Sequence, residues 1–241
     1  MKKSNIKALS PNDILYEDNH LLVVNKAAGL LVQGDRTGDI PLVDLAKAYI
    51  KKKYNKPGEV FLGVVHRLDR PTSGVLMFAR TSKALGRLNA QFQERTTKKT
   101  YWAVTEGANA PEEEELEHWL LRKPKINKSF AHKNEVPNSK FARLRFRRIK
   151  SLERYSLLEI DLQTGRHHQI RAQLNAINLH IKGDLKYGFP RSNRDASISL
   201  HARFLSFTHP VSKEMLEIEA PLPTSDKVWN YFSKLDFSKP D

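Results

Sequence analysis

The amino-acid sequence predicts an α+β fold, with a mixed, largely antiparallel central sheet flanked by helices and loops. Three observations predict it. Strand-like stretches outnumber helix-like ones, and several are joined by short turns of hairpin type. No internal repeat interrupts the chain. No Pro-, Gly- or Ser-rich linker divides its 241 residues, a length with room for one large core.

Residues 1–12 read as a loose arm ahead of a single domain over 13–241. "ILYEDNHLLVVNK" is two apolar runs about an Asp-Asn-His turn. "LVDLAKAYIKKKY" sets Leu42, Leu45, Ala46, Tyr49 and Ile50 on one helical face, with Lys51, Lys52 and Lys53 in the last turn. "VFLGVV" and "VLMFAR" are short apolar runs suited to buried strands. "TSKALGRLNAQFQER" predicts a helix capped by Thr81 or Ser82, with Leu85, Leu88 and Phe92 inward. "KKTYWAVTEG" predicts a strand, and the acidic run in "APEEEELEH" a solvated loop or helix start. Residues 122–140, "RKPKINKSFAHKNEVPNSK", read as a basic surface insertion. In "ARLRFRRI", Ala142, Leu144 and Phe146 alternate with Arg143, Arg145 and Arg147, which predicts a strand with one basic face. "YSLLEIDLQ" is a further strand. Thr164 is placed to cap a helix whose inner stripe is Ile170, Leu174 and Ile177. "HIKGDLKYGFPRSNRD" reads as loop. "ISLHARFLSFTHP" and "EMLEIEAPLP" read as a final strand pair, and "DKVWNYFSKL" as a closing helix.

Composition narrows the function. Lys and Arg number 41 against 27 Asp and Glu, a net charge of +14. That surplus favours a polyanionic partner, most often nucleic acid. No apolar run approaches the roughly 18 residues of a membrane span, and the opening residues lack the apolar stretch of a secretory signal. Without cysteine there are no disulfides and no thiolate metal sites, and a cytoplasmic location is expected. The nine histidines form no HExxH pattern, and the adjacent His167 and His168 do not share a helical face. P-loop, GxGxxG and GxSxG motifs are also missing. A reaction without metal or cofactor is the expectation.

Two arginine-rich stretches remain, "HRLDRPTSG" and "TGRHHQIR". The first sets Asp69 between Arg67 and Arg70 in a turn shaped by Pro71 and Gly74. One reading is a charged surface turn. The other is an ionised carboxylate: a guanidinium nearby keeps an aspartate deprotonated inside a cleft, where it can serve as a nucleophile. Both stay open on the residues alone.

The motifs "HRLDRPTSGVLMFART", "KKTYWAVTEG", "LQTGRHHQIRAQL", "IKGDLKYG" and "LHARFLSFTHP" occur in this order. Together with "ILYEDNHLLVVNKAAGLLV" they resemble the RluA-type family of RNA pseudouridine synthases, over residues 13–223. The resemblance implies a metal-free, cofactor-free isomerase that converts selected uridines in ribosomal or transfer RNA to pseudouridine. It implies that Asp69 is the nucleophile or anionic stabiliser and that Tyr101 stacks on the flipped base. It implies too that Arg171 pairs with Asp69, and that Arg67 fills the space the flipped nucleotide leaves or holds its phosphate. Base flipping is needed because the bond to be cut is inaccessible within a stack. His66 and His168 would be supporting groups. Thr72, Ser73 and Gly74 would shape the turn, and Gly165 and Arg166 the pocket. Ala27, His167 and His180 depart from the family pattern without removing a reacting group.

Many members carry an N-terminal RNA-binding module. Here only the short arm precedes the opening strands, so RNA affinity is expected from the catalytic domain. Arg143, Arg145, Arg147, the 122–140 insertion and Lys51–Lys53 are the candidates for phosphate contacts. The expected partner is an RNA stem-loop, and the expected state a monomer. Two other classes compete. A non-catalytic RNA-binding module would not need Asp69, Tyr101 and Arg171 together. A glycosidic-bond hydrolase would bring a second carboxylate or a histidine to activate water.

Overall fold

The computed structural model describes residues 8–35, 37–107, 110–224 and 226–235. Residues 1–7 of the expected arm lie outside this set. Within the rest of the arm, Leu9 packs against the core, and the Ser10 hydroxyl donates to the Asp13 carboxylate at 2.7 Å.

Chain order runs β1 (Ile14–Glu17), β2 (Leu21–Lys26), α1 (Leu42–Lys53), β3 (Gly63–Val64), β4 (Ser73–Ala79) and α2 (Ser82–Glu94). It continues with β5 (Lys98–Glu106), β6 (Glu113–Lys123), β7 (Lys128–His132), β8 (Lys140–Ser151), β9 (Tyr155–Leu162) and α3 (Gln169–Ala176). β10 (Leu200–Thr208), β11 (Met215–Glu219) and α4 (Lys227–Phe232) complete it. Among the described residues, the eleven strands form one sheet, ordered β1-β2-β4-β10-β5-β9-β8-β6-β7. β3 adds to β4, and β11 to β10. β4 and β10 run parallel, and the other pairings are antiparallel. The mixed, largely antiparallel sheet is thus the one the sequence predicts.

The period-two rule of strands explains why the central runs are apolar throughout. In β2, Leu22 and Val24 face a core shared with Leu42, Ala46 and Ile50 of α1 and with Ile170 and Leu174 of α3. Leu21 and Val23 face a second core with Ala84 and Leu88 of α2. β4 divides likewise, Leu76 and Phe78 against Val75, Met77 and Ala79. A third cluster joins Trp102, Val104 and Leu157 to Trp229 and Phe232 of α4.

Three expectations need correction. "VFLGVV" yields only the two-residue β3. The acidic run is neither loop nor helix. It is β6, whose glutamates 113, 115 and 117 alternate with buried Leu116, His118 and Leu120. Residues 122–140 are mostly exposed, as a surface insertion should be, and the end of β6 pairs with β7 within them as a hairpin. The face of β8 that carries Arg143, Arg145 and Arg147 is mixed rather than basic. Arg143 bridges Glu115 (2.7 Å) and Glu117 (3.3 Å), Arg145 pairs with Glu113, and Arg147 with Glu159 (2.8 Å). The cross-strand register puts each arginine opposite a carboxylate, which is where such pairs form.

Candidate active site

The "HRLDRPTSG" loop is fixed mainly through its backbone. Lys26, fully buried at the end of β2, donates from Nζ to the carbonyls of Ala27 (3.2 Å), Asp69 (3.3 Å), Arg70 (3.2 Å) and Thr72 (2.6 Å). An ammonium satisfies carbonyls that burial would otherwise leave unpaired. Burial pushes Lys26 down to about 7, while Asp69 pulls the other way. The Thr72 amide donates to the Asp69 carbonyl at 3.0 Å and closes the turn. Arg70 turns away from Asp69, pairs with Asp39 at 2.7 Å and donates to the Gly29 carbonyl at 3.0 Å. Gly74 follows at φ +114°, and a Cβ there would run into the backbone of Ala202. Only glycine lets β4 lie that close to β10. The Ser73 hydroxyl meets His201 Nδ1 at 2.8 Å across the same seam. His66 is a supporting group: its Nε2 accepts the Met77 amide at 3.1 Å, and burial pushes it down to about 3.

The Asp69 side chain is 26% exposed, so the carboxylate reaches the solvent side of a rigid loop. Arg171, on α3, donates to it from Nη1 at 3.0 Å. The same guanidinium gives Nε and Nη2 to the two oxygens of Asp184, at 2.7 and 2.8 Å. Its plane lies over the Tyr187 ring, 4.9 Å from the centroid. One fully buried carboxylate therefore fixes the fork, and the third donor is left for Asp69. Burial alone would lower the Arg171 pKa, but Asp184 and Asp69 hold it above the ordinary guanidinium value. His168 Nε2 stands 3.6 Å from Asp69, and its Nδ1 meets the Tyr187 hydroxyl at 3.0 Å. Burial and the neighbouring Arg171 push His168 down to about 2, so it stays neutral.

α3 does not start where the sequence suggested. Thr164 is no cap: its hydroxyl donates to Gln169 Oε1 (2.8 Å) and accepts the Arg143 amide (2.9 Å). The helix begins five residues later, after His168 in the left-handed region at φ +54°. The Arg166 amide donates to Gln169 Oε1 at 3.0 Å, so the motif's glutamine organises the entry turn from inside.

These elements surround an open cleft of about 940 Å³. Asp69, Tyr101, Arg171, Arg67, Arg166 and Gly165 all line it. Tyr101 sits on β5 in register with Ala202 and Ile160, and burial together with Asp69 keeps its phenol protonated. Arg67 is exposed and, among the described residues, makes no hydrogen bond or ion pair. Arg143, Arg145 and Arg147 lie outside the lining. Sequence reasoning missed Lys26, Asp184 and Tyr187. A lysine closing an apolar run, "LLVVNK", was the available signal for the first; nothing in "KGDLKYG" marks the other two as buried. Among the described residues, no three His, Cys, Asp or Glu side chains gather as metal ligands would.

The open cleft thus joins a carboxylate held by a buried guanidinium, a neutral phenol and several cations, Arg67, Arg95 and Arg166 among them. Residues 20–176 match the family model for RNA pseudouridylate synthase. The chain is 35% identical over 222 residues to the ribosomal large subunit pseudouridine synthase C of Vibrio cholerae, covering 87% of this chain and 65% of that one. To the ribosomal large subunit pseudouridine synthase D of Neisseria meningitidis it is 37% identical over 241 residues, covering 92% and 61%. It thus spans less than two thirds of the length of these relatives. The solved structure of human RNA pseudouridylate synthase domain containing 1 superposes at a TM-score of 0.70 with 26% identity, over 89% and 86% of the two chains. That of human RNA pseudouridylate synthase domain containing 4 has the same fold, at a TM-score of 0.75, 24% identity and 92% coverage of both chains.

Proposed function

The chain belongs to the RNA pseudouridylate synthase family, and from that premise we propose that it isomerises selected uridines in structured RNA to pseudouridine. The observation that carries the reading is the Asp69 carboxylate, presented to the cleft and held at 3.0 Å by Arg171. In the reaction the bond from the ribose C1′ to N1 breaks, the base turns, and a bond from C1′ to C5 forms. The C5 proton leaves and N1 gains one, so atoms balance without an added reactant. Asp69 acts as nucleophile or anionic stabiliser at the sugar or base. The guanidinium beside it favours the ionised form that either role needs. Tyr101 offers an aromatic face for the flipped uracil, and its protonated hydroxyl a donor or relay for the moving proton. Arg67, exposed at the cleft, takes the place of the flipped nucleotide or holds its phosphate.

Ribosomal RNA is the first substrate to test, because the Vibrio and Neisseria relatives carry that activity in their names. A cytoplasmic setting belongs to the same proposal. No helix among the described residues is long and apolar enough to cross a membrane. The test uses transcribed large-subunit RNA and maps pseudouridine after incubation with the protein. Asp69→Asn is expected to abolish product while RNA binding persists. Full turnover by that variant would sink the assignment.

A further inference from the structure

One wall of the cleft has no part in the chemistry above. It is the outer face of α2, where Asn89, Phe92 and Gln93 follow one another at helical spacing and all line the cleft. Asn89 and Gln93 are exposed and, among the described residues, make no hydrogen bond. Phe92 is half-buried. One side of its ring stacks on His66 at 5.1 Å and 18°, and Lys99 Nζ lies 5.9 Å from its centroid. Arg95 and Lys99 extend the same wall.

The rest of α2 is pinned. Thr81 caps it through the Ala84 amide at 3.1 Å. Gln91 exchanges two hydrogen bonds with the backbone of Thr208 on β10, at 2.8 and 3.0 Å. Arg87 donates to the Pro210 carbonyl at 2.7 Å. Leu85 fills the space over Gly63 so closely that a Cβ there would collide with it. The polar side chains that hold the helix therefore lie on its other faces; two amides are left toward the cleft, beside the half-buried Phe92 ring, which packs partly against the second core and partly lines the cleft.

We propose that this face of α2 is a second nucleotide subsite, which binds an unstacked base next to the target uridine and selects its identity. The proposal rests on the reading of the chain as an RNA-modifying enzyme. Each part has a physical role. The Phe92 ring offers a stacking platform, which every base accepts. The Asn89 and Gln93 amides each carry donors and an acceptor, as a base edge does, so they discriminate between bases. Arg95 and Lys99 hold the phosphates on either side and add affinity without sequence preference. A helix fixed by its other faces presents these groups at constant spacing. Turning the target uridine toward Asp69 unstacks its neighbour too, and the α2 face gives that neighbour a place.

The test measures binding, apart from turnover. A pool of RNA hairpins with a randomised loop is equilibrated with the full-length protein, and the bound fraction is sequenced. The wild-type chain is expected to enrich one base at one loop position. Asn89→Ala combined with Gln93→Ala is expected to lose that preference by about tenfold to a hundredfold. Phe92→Leu keeps an apolar side chain beside His66 but no aromatic face, and is expected to weaken all loops about tenfold, with the preference retained. Thermal melts of the variants check that the fold is kept. Identical enrichment by the wild type and the double variant overturns the proposal, as does a wild type without preference. Unchanged affinity of Phe92→Leu removes the ring from it. If the wild type binds selectively yet forms no pseudouridine, the isomerase reading fails and the subsite stands.

Discussion

Two arginines of this protein each sit between two carboxylates. Arg171 bridges Asp69 and Asp184. Arg143 bridges Glu115 and Glu117. The chemical inventory is the same, and the surroundings are opposite. The Arg171 side chain is 5% exposed and the Asp184 side chain 1%, whereas Arg143 is 42% exposed between carboxylates of similar exposure. Water screens the outer cluster and competes for every donor in it. In the inner cluster Arg171 and Asp184 are closed off from water and only Asp69 reaches the cleft, so removing Asp184 leaves a buried guanidinium short of a partner. Composition therefore does not separate the two clusters; burial does. The outer ladder serves β6–β8 pairing, and the inner one fixes a carboxylate in a cleft.

The comparison breaks most sharply at Asp184. Asp184→Ala leaves the nearly buried Arg171 with a single carboxylate partner, and a loss of about 3–5 kcal/mol in unfolding free energy is expected from urea titration. Turnover should fall with it. An unchanged urea midpoint would mean the inner cluster is as screened as the outer one. Arg171→Lys is the next test. It keeps the charge and loses the fork that serves two carboxylates at once, so turnover should drop roughly a hundredfold with little change in RNA affinity.

Acid provides a third test. Burial pushes His66 down to about 3 and His201 to about 4 from an ordinary 6.5. Between those values the unfolded chain takes up protons that the folded core refuses. The contribution of these two histidines is thus complete above pH 6.5 and falls as pH drops below it, by at most about 1.4 kcal/mol per pH unit for each. His66→Gln should flatten the slope of urea midpoint against pH. The smallest effect belongs to the outer cluster: Arg143→Ala should leave the midpoint nearly unmoved, and added salt should not change that result.

The same contrast explains what the sequence disclosed. Strand alternation in "LLVVNK" and "ARLRFRRI", and helical spacing in "LVDLAKAYI", are local signals, and the corresponding elements form. The pairing of Asp69 with Arg171 came from motif resemblance. Their 102-residue separation puts it beyond any local rule. Asp184 and Lys26 were illegible for a related reason: a charged residue reads as solvated until the fold surrounds it with partners. The acidic run was misread because its glutamates suggest a loop, and the alternation with Leu116, His118 and Leu120 gains meaning only once β8 pairs beside it. Thr164 was misread because Gln169 takes its hydroxyl inward.

One feature of the sheet bears on how the protein is made. β10 lies between β4 and β5, at the centre of the sheet, yet comes late in the chain. Until residues 200–208 emerge from the ribosome, the strands that carry the Asp69 loop and Tyr101 have no common neighbour. The cleft therefore closes as a late event of synthesis, through long-range contacts that form slowly.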